Sequence, residues 1–519
     1  MNKQISAFVL ISIFWVGLFG FTKVFTSGYH WIDEHEDYGI LTSIEKTGLS
    51  NAMFEHISGD LHQRFRPLYY VQKSLQVYFF QDKFIFYYIF NTISIILTCF
   101  FLFLFAFKSK IDWIASLFFP FLIVLGTQIE IWCRISPSES PALLYLSISL
   151  LFCLNASMKI DKSFKNEVGM ICFLLISTLF KESFILLVPA YALFYIGLIN
   201  KFNSIHYLDI IKKKKNIIFI LLSIFIVEIL IILFFVGTAE NGYAGVDGFK
   251  QSYISNLSKS ISSLFYKYSN QTGFIILCLL LGLILEFYRK EKTLTQNFKI
   301  ILKEIGPVIV IAIAILAPQF LLYMKSKMDT RYLIPATIGT SFLLIYFYDK
   351  LVTLTKSFMV KYLIGCLLAL ILYNRLIVSY HEFKIFTEDG YRINKFLTEI
   401  KKQTTSKSDI LFAFDPAIAC EWGQSMNEYF DSPLNNRLNK KFLILLDKPI
   451  NQYSIDSQNR INSEYKAFKN ALFENNKSLD YKIIALPKEL ENRLVNYDIN
   501  VNNYTRLVIE QEWLIFYKK

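Results

Sequence analysis

The sequence predicts a mainly α-helical, polytopic membrane bundle of about eleven spans, followed by a small α/β domain on the non-cytoplasmic side. Three observations lead there. Of 519 residues, 54% are hydrophobic, 17% aromatic and only 18% charged, with a mean hydropathy of +0.39. Soluble domains carry about 45–50% apolar and roughly 25% charged residues. The apolar excess is gathered into nearly charge-free blocks of about 17–22 residues, long enough to cross a hydrocarbon core about 30 Å thick. From about His381 onward the composition turns polar, rich in Asn, Lys, Asp and Glu. A soluble enzyme, a disordered chain and a small disulfide-stapled domain are thereby excluded.

The first apolar block, Ile5 to Thr22, sits behind a single Lys3 and offers no small-x-small cleavage site, so it reads as an uncleaved first span with a cytoplasmic N-terminus. Further blocks fall near 84–107, 113–130, 141–156, 168–180, 183–200, 216–237, 273–288, 305–323, 332–348 and 362–379. Counted over alternate short loops, one side holds 19 Lys and Arg and the other 8. The richer side should be cytoplasmic. The loops at 26–83, 131–140, 181–182 and 324–331, and the C-terminus, then face outward. The organisation expected is a membrane domain over 1–380 and an extracytoplasmic α/β domain over 381–519. The tail carries strand-like runs at 410–414, 442–446, 481–486 and 507–517 between helical patterns at 388–402, 456–475 and 488–496. Seven cysteines show no CxxC or Cys/His zinc spacing. The net charge of +12 comes from lysines clustered between apolar blocks, which marks membrane loops rather than a nucleic-acid partner.

The chemistry is expected in the outward loops. Between Thr26 and Tyr70 the chain holds seven acids against three Lys and Arg, and four of its six histidines. Trp31-Ile32-Asp33-Glu34 sets carboxylates beside apolar groups. Their desolvation raises a carboxyl pKa and makes it a better proton acceptor. Arg64-Phe65-Arg66-Pro67-Leu68-Tyr69-Tyr70 is a basic-aromatic stretch in which arginines can grip phosphate bidentately. Taken singly, these features also suit a solvated loop. Glu139 suits a helix cap, Arg331 an interfacial anchor, Lys181-Glu182 a surface ion pair, and Glu228, inside a span, a partner for a polar group on another helix.

In order along the chain, however, these residues resemble the GT-C superfamily of integral-membrane glycosyltransferases, which includes protein O-mannosyltransferases and lipid A aminoarabinose transferases. The resemblance lies in Asp33-Glu34 after the first span, Tyr38, Gly48, and Arg66-Pro67-Leu68-Tyr69-Tyr70 leading into the second. It continues with Arg134-Ile-Ser-Pro137-Ser-Glu139, where Glu replaces the more common Asp, and with Arg331-Tyr332-Leu-Ile-Pro335 opening a late span. An outward-facing globular tail is also usual. The likeness covers the whole chain in topology but only short motifs in residues.

It implies a sugar donor on polyprenyl phosphate, a glycan, lipid or protein acceptor, and inversion by single displacement. Asp33 is then the expected base, Glu34 the runner-up, and Glu139 a second acid. Arg331 is the first candidate for the donor phosphate, followed by Arg64, Arg66, Arg134 and Lys181, with Glu182 and Tyr332 beside them. Asp33 and Arg331 are expected to meet at the outer rim of the bilayer. No cofactor is expected. A divalent metal on the histidines with Asp33, Glu36 and Asp37 is the lesser alternative, because no ligand spacing is diagnostic. The first loop contains no Asp-x-Asp triplet. The competing classes are a flippase or transporter of lipid-linked glycans, a glycan polymerase or ligase, and a non-enzymatic anchor for the tail. Against a transporter, the charges sit in outer loops and no halves repeat.

Overall fold

The computed structural model describes the chain outside residues 1, 32–33, 63, 161–162, 237–251, 266–271, 291–293, 325–329, 405–408, 418–420, 436–438, most of 454–480, 498, 500 and 519. Each of the eleven apolar blocks contains or forms a helix. Among the described residues, seven helices are long and apolar enough to cross a membrane: Lys3–Phe21, Phe84–Lys108, Glu139–Met158, Glu182–Asn203, Lys215–Val236, Lys303–Leu322 and Phe358–Gln403. The chain is a multi-pass membrane protein.

The expected span at 113–130 is instead a bent pair, Trp113–Val124 and Thr127–Cys133, turned by 74°. The turn centres on Gly126, whose φ of +116° lies where L side chains are strained. The Gly126 N–H donates to Ser379 Oγ at 2.8 Å. Arg375, buried within the long last helix, donates to the Leu122 carbonyl and to Thr272 Oγ1. Leu122 lies in the last turn before the bend, where helix carbonyls lack intrahelical partners. The buried arginine thus meets a backbone carbonyl and a hydroxyl.

The chain forms two compact units. The first comprises Met1–Thr22, His56–Val71 and Tyr88–Lys384; the second comprises Lys23–Glu55, Gln72–Tyr87 and Ile385–Lys519. The first loop is not open chain: it contains the helices His35–Thr47, Leu49–Asp60 and Pro67–Phe80. The Phe358–Gln403 helix runs without a break across the 380/381 boundary expected from composition.

In the first unit Glu228, on the Lys215–Ile231 helix, is buried and accepts from Thr178 Oγ1 at 2.7 Å. A hydroxyl donor of this kind is what a carboxyl group needs at membrane depth.

The second unit is built on a five-stranded sheet of β1 (Asp409–Phe414), β2 (Asn439–Ile444), β3 (Ile483–Pro487), β4 (Thr505–Ile509) and β5 (Trp513–Tyr517), in the order β2-β1-β3-β5-β4. β1 pairs in parallel with β2 and β3, while β5 is antiparallel to β3 and β4. The run expected at 507–517 is thus a hairpin and not one strand. Glu510 and Gln511 both have positive φ, and the Glu512 N–H donates to the Ile509 carbonyl. This is a primed turn made without the Asn-Gly signal that usually announces one. The segment at 488–496 is a 3₁₀ helix, Lys488–Tyr497, and most of the helix expected at 456–475 lies outside the described residues.

This unit also holds the start of the first loop. The Trp31 ring meets Phe396, Trp422 and Trp513 at 5.9–6.2 Å, and Trp422 stacks on Trp513 at 5.7 Å. The Trp31 carbonyl accepts from Ser425 Oγ, and Asn394 Nδ2 donates to the carbonyls of Ser27 and Tyr29. The His30 ring stacks on Phe386 at 3.6 Å. Gly390 is required where they meet, because a Cβ there would lie 2.5 Å from His30 Nε2 and 2.6 Å from the Ser27 carbonyl.

Candidate active site

The first unit gathers charge around Lys181. Apolar sequence on both sides carries Lys181 and Glu182 to the junction between the Phe164–Phe180 helix and the Glu182–Leu187 3₁₀ turn. Lys181 is 4% exposed, so it is not half of a surface ion pair. Its Nζ lies 2.9 Å from Glu139 Oε1 and 4.0 Å from Glu182 Oε1, and 5.1 Å above the Tyr332 ring. Glu139 does sit in the first turn of the Glu139–Met158 helix, but it is 3% exposed and is held by Lys181 as well.

Asp60 and Arg66 form the other half of the group. Arg66 grips Asp60 bidentately, Nε to Oδ2 at 2.9 Å and Nη2 to Oδ1 at 3.2 Å, and Nη2 also donates to Tyr70 Oη at 3.2 Å. Its guanidinium lies over Tyr69 at 4.6 Å and Tyr70 at 5.3 Å. Burial raises the Asp60 carboxyl pKa against the opposing pull of Arg66 and Arg64.

Arg64 joins the halves. Burial and the neighbouring Arg66 lower its pKa, but Glu182, Tyr332 and Asp60 outweigh them and hold the guanidinium charged. Arg64, Arg66, Lys181, Glu139, Glu182 and Tyr332 are therefore brought together, and Asp60, which no motif flagged, is added. Three cations face three acids. Arg134 is placed differently, in an ion pair with Glu130 at 2.6 Å. The Arg331 side chain and Asp33 lie outside the described residues, and so does their expected meeting.

The second unit holds another buried polar group, near Glu34. Glu34 is fully buried and its Oε2 accepts the His30 N–H at 2.8 Å. One turn on, Asp37 Oδ1 lies 2.8 Å from Lys73 Nζ, both side chains being buried, and Nζ stands 5.2 Å from the centre of the Tyr87 ring. Burial pushes the Asp37 carboxyl pKa up to about 6, against the opposing pull of Lys73. The pair was missed because Asp37 and Lys73 lie far apart in sequence. The available signal was the helical spacing of Arg66, Tyr69, Tyr70 and Lys73, which share one face of a turn-by-turn register. Among the described residues, no group of three or more His, Cys, Asp or Glu side chains is arranged to hold a metal ion.

The pair makes stability pH-dependent. The folded Asp37 pKa exceeds the unfolded value of about 3.9. Its contribution is therefore fully present below about pH 4, declines as pH rises toward 6, and is level above that. Thermal unfolding of the wild-type chain minus that of Asp37→Asn, measured between pH 4 and pH 7, should show this downward slope. A flat difference would contradict the burial argument.

The fold and site define a class: a multi-pass membrane protein with a buried acid–base group in its apolar helical unit and a sheet-based second unit. Among known proteins, no family model and no curated protein matches the chain. Two solved structures resemble it along nearly their whole length. One is ArnT from Cupriavidus metallidurans bound to undecaprenyl phosphate, with a TM-score of 0.48 and 11% identity over 98% of this chain and 97% of that one. The other is the same protein in its apo state, with a TM-score of 0.45 and 10% identity over 97% of each chain. At these scores the superpositions assign no residue of this chain a role.

Proposed function

We propose that this protein is an inverting GT-C-type glycosyltransferase. It takes a sugar from a polyprenyl-phosphate donor and passes it to an envelope acceptor, a lipid-linked glycan, surface polysaccharide or protein, at the outer face of the membrane. The observation that carries the reading is the buried Lys181 group. Residues drawn from motifs up to about 270 positions apart in the sequence, Arg64, Arg66, Glu139, Lys181, Glu182 and Tyr332, meet in one unit. Burying so many charges is expensive unless they are paired, and sites that bind phosphate are where such clusters are useful.

The roles follow from the chemistry. Phosphate leaves without a general acid, so the reaction needs a base for the acceptor hydroxyl and cations for the departing phosphate. It does not need the two carboxylates of a glycosidase. Asp33 is assigned as the base, with Glu34 as runner-up. Lys181 and Arg64, backed by Arg331, stabilise the leaving phosphate. Glu139 positions Lys181, and Asp60 positions Arg66. The sheet-based unit holds Trp31 and His30, which precede Asp33 in the sequence. The proposal is tested by mass spectrometry of envelope glycolipids and surface polymers with and without the chain, where one sugar should be missing without it.

A further inference from the structure

A second site lies in the first unit, away from the Lys181 group. A cavity of about 840 Å³ has Lys201, Lys303 and Lys350 around its mouth, with Glu304 and Asp349. Lys350 is engaged by Glu304 at 2.7 Å, which leaves Lys201 and Lys303 against Asp349. The rest of the lining combines apolar Phe105, Phe119, Phe194, Ile311 and Phe342 with polar Ser109, Asn200, Ser204 and His206. The same five apolar residues border a second, much smaller apolar space of about 50 Å³ that reaches Leu146, Leu150 and Leu187.

The cavity mouth and the Lys181 group occupy opposite ends of shared helices. Val188–Asn203 follows the Glu182–Leu187 turn and ends beside Lys201; Ile334–Leu354 follows Tyr332 and carries Asp349 and Lys350 near its far end. The mouth lies on the lysine-rich side that the positive-inside pattern makes cytoplasmic.

We propose that this cavity binds an anionic phospholipid of the cytoplasmic leaflet, its phosphodiester on Lys201 and Lys303 and the first part of one acyl chain against Phe105, Phe119, Phe194, Ile311 and Phe342. The net charge of the five mouth residues, +1, matches one phosphodiester. Basic pockets between spans on that side are suited to anionic headgroups. The volume falls in the range of about 300–1,000 Å³ typical of ligand sites. The site is independent of the proposed sugar transfer.

The test uses the full chain in phosphatidylcholine vesicles doped with a phosphatidylglycerol probe carrying a photoreactive acyl chain, followed by peptide mapping. Labelling should fall on 190–201 and 308–315. It should drop about tenfold or more in the Lys201→Glu, Lys303→Glu double variant, the loss of two basic contacts. It should also drop in Ile311→Trp, which narrows the cavity. A phosphatidylcholine probe of the same chain should label these peptides several-fold less. Equal labelling by the two probes in the wild-type chain, labelling unchanged in folded variants, or labelling by a polyprenyl-phosphate probe alone would overturn the proposal. The comparison of probes on the wild-type chain decides even where a variant does not fold.

Discussion

Asp33→Asn is expected to lower sugar transfer by about 10²–10⁴, the usual contribution of a general base, with the protein still expressed and folded. Asn keeps the size of Asp but cannot take a proton from the acceptor hydroxyl. The acidic limb of the rate–pH profile, which reports protonation of the base, should vanish from the residual activity. Glu34→Gln is the companion variant. Glu34 accepts the His30 N–H through Oε2, and an amide oxygen can accept the same bond, so Gln retains the local fold. If Asp33→Asn keeps near-normal activity while Glu34→Gln loses it, the base is Glu34. If neither changes the rate, neither Asp33 nor Glu34 is the base. Transfer rates of the purified variants in vesicles check this.

Lys181→Met should have two separable effects. It leaves Glu139, 3% exposed, buried without its partner at 2.9 Å. Breaking one side of a buried pair costs about 3–5 kcal/mol, read as a fall in thermal unfolding temperature. On the proposed mechanism it also removes a cation from the leaving phosphate, and groups of that kind contribute about 10²–10³ in rate. The Lys181→Met, Glu139→Leu double variant separates the two. It replaces the pair with apolar side chains of similar bulk and should recover most of the lost stability. Transfer should remain depressed. If the double variant regains activity along with stability, the pair is structural and Lys181 does not serve the phosphate.

Much of this architecture was legible because membrane physics writes plainly in sequence. A helix must satisfy its own backbone in lipid, so each apolar block declares itself. Where the reading failed, the cause was local. Gly126 bends one apolar block because only its φ permits the turn, and a hydropathy window does not see φ. The Glu510-Gln511 turn lacks the residues that usually mark one. Composition placed a boundary near 380, and the two compact units part at Lys384/Ile385, within the unbroken Phe358–Gln403 helix.

The site was legible in part. The motifs named Arg64, Arg66, Glu139, Lys181, Glu182 and Tyr332, and these converge. Asp60 and the Asp37–Lys73 pair escaped because single acids in an acidic loop carry no signal until folding supplies a partner. Sequence also ranked Lys181-Glu182 as a neighbouring pair. The geometry makes Glu139, far away along the chain, the closer partner.

The central claim is that this chain moves a sugar from polyprenyl phosphate to the envelope. The most direct measurement is mass spectrometry of total lipids and surface polymers from cells carrying the wild-type chain, the Asp33→Asn chain or none. The account predicts that one sugar disappears from a lipid, glycan or protein acceptor in the last two, while its polyprenyl-phosphate donor accumulates at the outer face. An unchanged acceptor profile, or a precursor trapped on the cytoplasmic side, would contradict it and identify a transporter instead.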